Sequence, residues 1–140
     1  MADPATQRVL LTGASSGVGF EAAKVLSSRG HALTLLCRNQ AAADQTLSQL
    51  SGSVHALICD LADLAAVENV CSQLLESGTA LDALVLNAGL QYAGASEAQY
   101  SKQGIELTFA VNQLAHRLMA MRLLPLLQKA ASPRLVITAS

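Results

Sequence analysis

The fold is decided by the stretch Val9-Leu10-Leu11-Thr12-Gly13-Ala14-Ser15-Ser16-Gly17-Val18-Gly19. Its apolar run, Val9–Thr12, predicts a buried strand, and the glycines that follow predict a sharp turn into a helix. Glycine lets the backbone approach a ligand closely, and the first turn of a helix presents unpaired N–H groups to negative oxygens. The stretch therefore predicts a pyrophosphate-binding turn. A tight turn that holds no ligand is the alternative.

The composition describes one apolar domain rather than a nucleic-acid or membrane-surface protein. The chain has 140 residues, of which 51% are hydrophobic and 14% charged, and its net charge is −1. Such a chain buries much of its surface, and its charge does not favour nucleic acid or an anionic membrane as partner. Aromatic residues make up only 3% of the chain, which argues against base stacking.

The cysteines predict buried free thiols rather than a metal site. Cys37, Cys59 and Cys71 are widely spaced, and no cysteine or histidine pair stands at metal-ligand spacing. The first four residues do not resemble a signal peptide, and no apolar run approaches the length of a membrane span. We therefore expect a soluble cytoplasmic protein with no metal.

Five short apolar runs predict strands. They are Val9–Thr12, Leu33–Cys37, Val54–Cys59, Ala83–Leu86 and Leu135–Thr138. None of them alternates polar and apolar residues, so both faces of each strand should be buried, as in parallel sheets covered by helices.

Helical patterns fill the intervals between these strands. Asp63 is the expected N-cap of a helix that reaches Glu76, and Pro125 should kink the last helix or remove one hydrogen bond from it. The predicted helices are Gly17–Arg29, with Val18, Ala22, Val25 and Leu26 on its apolar stripe; Gln40–Leu50; Asp63–Glu76, with Leu64, Val67, Val70, Cys71 and Leu74; and Ser101–Ala131, with Leu107, Val111, Leu114, Leu118 and Met121. The alternation predicts an α/β fold, a Rossmann-type doubly wound parallel sheet of five strands, as one domain over residues 1–140.

The end of the second strand predicts which nicotinamide cofactor would bind. An NAD site places an acidic residue there, about 20 residues after the glycines, to bind the ribose 2′-hydroxyl. This chain has Cys37, Arg38 and Asn39 instead. A guanidinium suits a 2′-phosphate, so Arg38 favours NADP over NAD. A solvated surface arginine is the alternative.

Several motifs together resemble the short-chain dehydrogenase/reductase family over the whole chain. They are Thr12–Gly19, Asp60-Leu61, Leu86-Asn87-Ala88-Gly89, Val111-Asn112 and Val136-Ile137-Thr138-Ala139-Ser140. The stretch from Gly104 to His116 is similar to the branch that holds retinol dehydrogenases and light-dependent protochlorophyllide reductases. It departs from that branch at Gln113, where the branch has histidine, and at Ala115, where it has glycine.

The resemblance implies an NADP site and two catalytic residues. The implied cofactor-binding residues are Gly13, Ser15, Ser16, Gly17, Val18, Gly19, Arg38, Asp60, Leu61, Asn87, Ala88 and Gly89. Asn112 would be the family's proton-relay asparagine, unless it is simply a helix residue satisfied by backbone contacts. Ser140 would orient the substrate carbonyl.

One departure from the family concerns the mechanism. The family has Tyr-x-x-x-Lys after the serine, where the tyrosine is the general acid. The tyrosines here, Tyr92 and Tyr100, precede Ser140 and are followed four residues later by Ser96 and Gly104. The resemblance thus implies the N-terminal part of a longer enzyme, inactive alone.

Three functional hypotheses follow. The first is an oxidoreductase that, when intact, transfers hydride between NADP(H) and a carbonyl or alcohol, for which the branch resemblance suggests a hydrophobic substrate. The second is a non-catalytic NADP(H)-binding or sensing module, and the third is a folded remnant without cofactor affinity. Without the later strands of the family, strand Leu135–Thr138 would be an apolar edge, which predicts a homodimer or an aggregate.

Overall fold

The strands of this protein form one parallel sheet. A computed structural model describes residues 5–91 and 97–139. The strands within these ranges are β1 Arg8–Thr12, β2 Ala32–Cys37, β3 Val54–Ile58, β4 Ala83–Leu86 and β5 Arg134–Ile137. Each lies within two residues of its predicted bounds.

Helices connect these strands. They are α1 Gly17–Ser28, α2 Gln40–Ser48, α3 Leu64–Ser77, and a last helix of three contiguous segments: α4 Leu107–Phe109, a π-helical turn Ala110–Ala115, and α5 His116–Leu127. Asp63 caps α3 as expected, because its side chain accepts from the N–H of Ala65. None of the helices described is long and apolar enough to cross a membrane.

The strand order confirms the doubly wound fold. The described strands lie in the order β3-β2-β1-β4-β5, and every neighbouring pair is parallel. The chain runs outward from β1 to β3 and then returns to β4 on the other side of β1. The carboxyl ends of β1 and β4 therefore form the topological switch point, where ligands bind in open sheets of this kind.

Helices cover the sheet with a separate core on each face. Leu11, Leu33 and Leu35 are fully buried on the face covered by α1 and α2. Leu10, Leu84 and Met119 are fully buried on the face covered by α3 and α5. The predicted buried thiols are confirmed, since Cys37, Cys59 and Cys71 are free and buried.

The predicted apolar stripe of α1 is only partly right, because Leu26 is half-buried against the core and Ala22 is half-buried, but the two valines are not. Val18 and Val25 are 74% and 47% exposed, and the buried positions are Gly19, Ala23 and Ser27. The helix lies so close to the sheet that small residues fill the contact, and an apolar pattern alone cannot reveal a face made of small residues.

The last helix also differs from its prediction, in bounds and in phase. It begins at Leu107 rather than Ser101 and ends at Leu127 rather than Ala131. Met121 lies 64% exposed, whereas Met119 is fully buried. The π-helical turn places an extra residue in the helix and rotates everything after it. Pro125 lies within α5, which continues past it to Leu127.

Burial on both faces holds for the inner strands but not for the edges. β3 is only partly buried, and every residue of β5 is exposed, including Leu135, Val136 and Ile137. Both are edge strands, and nothing in the part of the chain that the structure describes lies beyond β5.

The two methionines of α5 test the phase of this helix. Met119→Ala should lower the free energy of unfolding by about 2–5 kcal/mol, because it leaves a cavity in the core. Met121→Ala, its matched control, should change it by less than about 0.5 kcal/mol, because Met121 faces solvent. Urea unfolding measures both values. Equal losses in the free energy of unfolding would contradict a helix in which Met119 faces the core and Met121 faces solvent.

Candidate active site

A cleft of about 520 Å³ opens at the switch point. Among the predicted cofactor-binding residues, those that line it are Gly13, Ser15, Ser16, Arg38, Asp60, Leu61, Asn87, Ala88 and Gly89. Gly17, Val18 and Gly19 do not line it, although they form the first turn of α1 beside it. Leu90, Leu107 and Val111 complete its wall on the side of the last helix.

Two glycines allow the close packing behind this cleft. Gly13 has a φ of +72°, and a Cβ there would lie 2.6 Å from the Cα of Ala88. At Gly19 a Cβ would overlap the carbonyl oxygen of Gly13 and lie 2.5 Å from Nδ2 of Asn87. The first turn of α1, the end of β1 and the loop after β4 thus meet where no side chain fits.

Helix α1 begins at the cleft without a side-chain cap. Its N-cap residue, Ser16, is extended and its side chain makes no capping hydrogen bond. By contrast, Asn39 accepts from Ala42 at the start of α2, and Asp63 caps α3. Ser16 thus leaves the first N–H groups of α1 without a side-chain cap, and the helix start beside the cleft favours an anion.

A cation and a carboxylate stand on the same cleft. Arg38 is exposed at the end of β2, and among the described residues it makes no ion pair or side-chain hydrogen bond. Asp60 is exposed, and its Oδ1 accepts the N–H of Ala62 at 2.9 Å. The guanidinium is therefore available to an anionic ligand, and the carboxylate still has an acceptor oxygen to offer.

The floor of the cleft is held by Thr12. Its side chain is fully buried, and its Oγ1 accepts the backbone N–H groups of Asn87 and Ala88, each at 3.0 Å. Nε2 of His116 lies 2.9 Å from the same oxygen. A single hydroxyl therefore connects β1, the loop after β4 and α5.

His116 is 6% exposed, and burial lowers its pKa from the ordinary value, with the carbonyl of Asn112 acting weakly in the opposite sense. Nδ1 of the ring is 3.4 Å from that carbonyl oxygen. Burial thus favours the neutral imidazole between Thr12 and the π-helical turn.

Two asparagines fix the loop that follows β4. The side chain of Asn112 accepts the N–H of Leu90 at 2.9 Å and donates to its carbonyl at 3.0 Å. The side chain of Asn87 donates to the carbonyl of Gly13 at 3.3 Å and accepts from the hydroxyl of Thr138 at 2.8 Å. Asn112 therefore makes the backbone contacts expected of a helix residue with a purely structural role. It also lies beside the cleft.

Three residues of the site occur in the quoted motifs but were given no role from the sequence. Thr12, His116 and Thr138 connect the strand ends through their side chains, but they are far apart in the chain, and their types are common in cores. The signal available for each was its membership of a quoted motif, and for Thr12 and Thr138 also a place at the end of a predicted strand. Ser140 lies outside the described residues.

Burial disfavours the thiolate form of the three cysteines. Burial raises the pKa of Cys59 to about 12 and that of Cys71 to about 11. Cys37 and Cys59 line the cleft but are buried at their strand ends. Within residues 5–91 and 97–139, no cluster of side chains could hold a metal ion.

A sequence model described as short chain dehydrogenase matches residues 7–140. The chain belongs to the short-chain dehydrogenase family. This short-chain dehydrogenase is 36% identical over 146 residues to a chloroplastic protochlorophyllide reductase of Chlamydomonas reinhardtii, an alignment that covers 98% of this chain and 37% of the relative. It is 33% identical over 147 residues to retinol dehydrogenase 14 of Mus musculus, covering 94% and 43%. The predicted resemblance to both kinds of enzyme is confirmed, and the chain spans less than half the length of each.

Solved structures agree with the fold. The Pseudomonas aeruginosa RhlG/NADP active-site complex matches with a TM-score of 0.74 and 33% identity, over 90% of this chain and 50% of that chain. A short-chain dehydrogenase from Streptomyces avermitilis matches with a TM-score of 0.80 and 24% identity, over 99% and 51%. The second likeness concerns the fold alone.

Gly19→Ala tests the close packing behind the cleft. Helix propensity alone would make alanine more stable than glycine here by about 1 kcal/mol. Overlap with the carbonyl of Gly13 should reverse the sign and cost about 1–3 kcal/mol. Gly89→Ala is the matched control, because its Cβ would make only ordinary contacts. Thermal and urea unfolding measure both, and a stabilised Gly19→Ala would contradict the packing.

Proposed function

We propose that this chain is the NADP-binding part, residues 1–140, of a longer short-chain dehydrogenase. The intact protein would transfer hydride between NADP(H) and a carbonyl or alcohol substrate. The observation that carries the proposal is the uncapped start of α1, which opens beside an unpaired Arg38 on one cleft. The start of α1 suits a pyrophosphate, and the guanidinium of Arg38 suits a 2′-phosphate.

The residues of this chain would bind and orient the cofactor. A bound nicotinamide would supply the hydride chemistry. Gly13, Gly17 and Gly19 shape the turn, and N–H groups of α1 with the hydroxyls of Ser15 and Ser16 would bind the pyrophosphate. Val18 would pack beside it, Asp60 and Leu61 would contact the adenine, and Asn87, Ala88 and Gly89 would line the nicotinamide ribose. These contacts position a cofactor without reacting with it.

The chemical step would need more than these residues. We assign Asn112 to a proton relay and Ser140 to orientation of the substrate carbonyl, as the family resemblance implies. The sequence has no Tyr-x-x-x-Lys to donate a proton to the carbonyl oxygen. The 140 residues alone should therefore show no dehydrogenase turnover. A hydrophobic carbonyl or alcohol is the substrate class that the retinol dehydrogenase relative favours.

A non-catalytic NADP(H)-binding or sensing module is the second candidate. The observation that favours it is the Asn112–Leu90 pair, which satisfies both ends of the asparagine amide without any reacting group. A cytoplasmic location belongs to both candidates, since three buried free thiols suit a reducing compartment.

Cofactor titration tests the proposed site. The 140-residue chain should bind NADPH more tightly than NADH, and Arg38→Ala should remove most of that preference, by about tenfold, because it removes a charged contact to the 2′-phosphate. Arg29→Ala is the matched control, because Arg29 is the exposed residue at the far end of α1. Fluorescence or calorimetric titration gives the dissociation constants. No binding of either nucleotide would contradict the proposal.

We further propose that β5 pairs with a second copy when the 140-residue chain is alone in solution. Its apolar residues are exposed along an edge with unpaired backbone groups. Val136→Lys should convert the dimer or larger assembly to a monomer, because a charge discourages strand pairing. Ile58→Lys, on the opposite edge strand β3, should leave it unchanged. Light scattering after size exclusion measures the oligomeric state of each variant. A monomeric wild-type chain would contradict the proposed pairing of β5.

A further inference from the structure

The hydroxyl of Thr12 has only one hydrogen-bonding role left to fill. A threonine hydroxyl can accept two hydrogen bonds and donate one. The N–H groups of Asn87 and Ala88 occupy both acceptor positions of Oγ1, each at 3.0 Å. The hydroxyl proton must therefore be donated to the remaining neighbour, Nε2 of His116 at 2.9 Å.

The other side of the imidazole leads to the same tautomer by an independent route. Nδ1 of His116 lies 3.4 Å from the carbonyl oxygen of Asn112, and a carbonyl can only accept. A hydrogen bond at this contact requires that Nδ1 carry the ring proton, which leaves a lone pair on Nε2. Burial, which lowers the pKa of this histidine, agrees with a neutral ring.

We propose that His116 is a positioning residue: its neutral Nδ1–H tautomer orients the Thr12 hydroxyl so that it holds the ends of β1 and β4 together and sets the shape of the nucleotide cleft between them. The tautomer is set by contacts within the protein and needs no ligand. The effect on nucleotide affinity rests on the proposed function.

The other tautomer would be incompatible with these contacts. An N–H on Nε2 would meet a hydroxyl whose acceptor positions are already filled, so the amide of Asn87 or of Ala88 would lose its partner. Both residues are half-buried and line the cleft, and an amide that is withdrawn from water and left unpaired is costly. The protonation state of a side chain behind the cleft thus controls the backbone that faces it.

The first test is nitrogen NMR of the unliganded chain, labelled with ¹⁵N-histidine, at neutral pH. Long-range ¹H–¹⁵N spectra distinguish a protonated ring nitrogen from one with a lone pair. For His116 we expect a protonated Nδ1 and an unprotonated Nε2. A protonated Nε2, or a ring protonated on both nitrogens, would overturn the proposal.

The second test compares His116→Leu with His116→Gln. Leucine cannot accept from Thr12, whereas the side-chain carbonyl of glutamine can. In His116→Leu, amide exchange at Asn87 and Ala88 should accelerate about tenfold or more relative to β1–β2 ladder amides. NADPH binding should weaken about tenfold. His116→Gln should recover most of both losses.

The chain provides a matched control in a second threonine–histidine pair. Oγ1 of Thr34 lies 3.0 Å from Nε2 of His55, in an exposed position that does not line the cleft. His55→Leu should change neither the exchange of Asn87 and Ala88 nor the affinity for NADPH. An equal effect from His55→Leu would overturn the proposal.

These readouts separate the two proposals. A wild-type chain that binds no NADPH contradicts the proposed function, while the tautomer and the amide exchange still decide the role of His116. If His116→Leu does not fold, the NMR measurement on the wild-type chain decides alone. An unaccelerated exchange in a folded His116→Leu would show that the histidine only fills space.

Discussion

The whole arrangement depends on an approach of backbone to backbone that excludes even a methyl group. The first turn of α1 lies against the carbonyl of Gly13, and the loop after β4 lies against the Cα of the same glycine. Because these segments touch, the carboxyl ends of β1 and β4 stand side by side at the point where the sheet reverses direction. The small buried face of α1, made by Gly19, Ala23 and Ser27, follows from the same constraint.

Polar groups at this junction divide into two sets with opposite roles. One set satisfies itself inside the protein, as in the contacts of Thr12 with two amides and of Asn112 with the backbone of Leu90. The other set is left to the cleft, as at the uncapped start of α1 and at Arg38. The groups that are hydrogen-bonded within the protein hold in place the groups that face the cleft. A binding site requires this kind of preorganisation.

Features set by the local sequence pattern could be predicted from the sequence. Features set by contacts between distant residues could be seen only in the structure. Strand positions and the glycine turn followed from apolar runs and glycine spacing, and Asp63 was recognised as a cap from its place before an apolar stripe. The phase of α5 was out of reach because a π-helical turn leaves no mark on composition, so Met121 was expected where Met119 lies buried. The link between Thr12 and His116 joins residues 104 positions apart, and no local rule connects them.

The π-helical turn at Ala110–Ala115 has a consequence for how this helix can change. The turn itself contains Val111, which lines the cleft, and Asn112, which holds the loop after β4, and it leads directly into the segment that packs on the sheet through Met119 and Leu123. The turn and α5 belong to one continuous helix, but their side chains follow different helical periods. Loss of a single residue between them would turn one segment relative to the other, so either the asparagine would leave the loop or the methionine would leave the core. Substitutions can therefore accumulate along this helix far more readily than insertions or deletions.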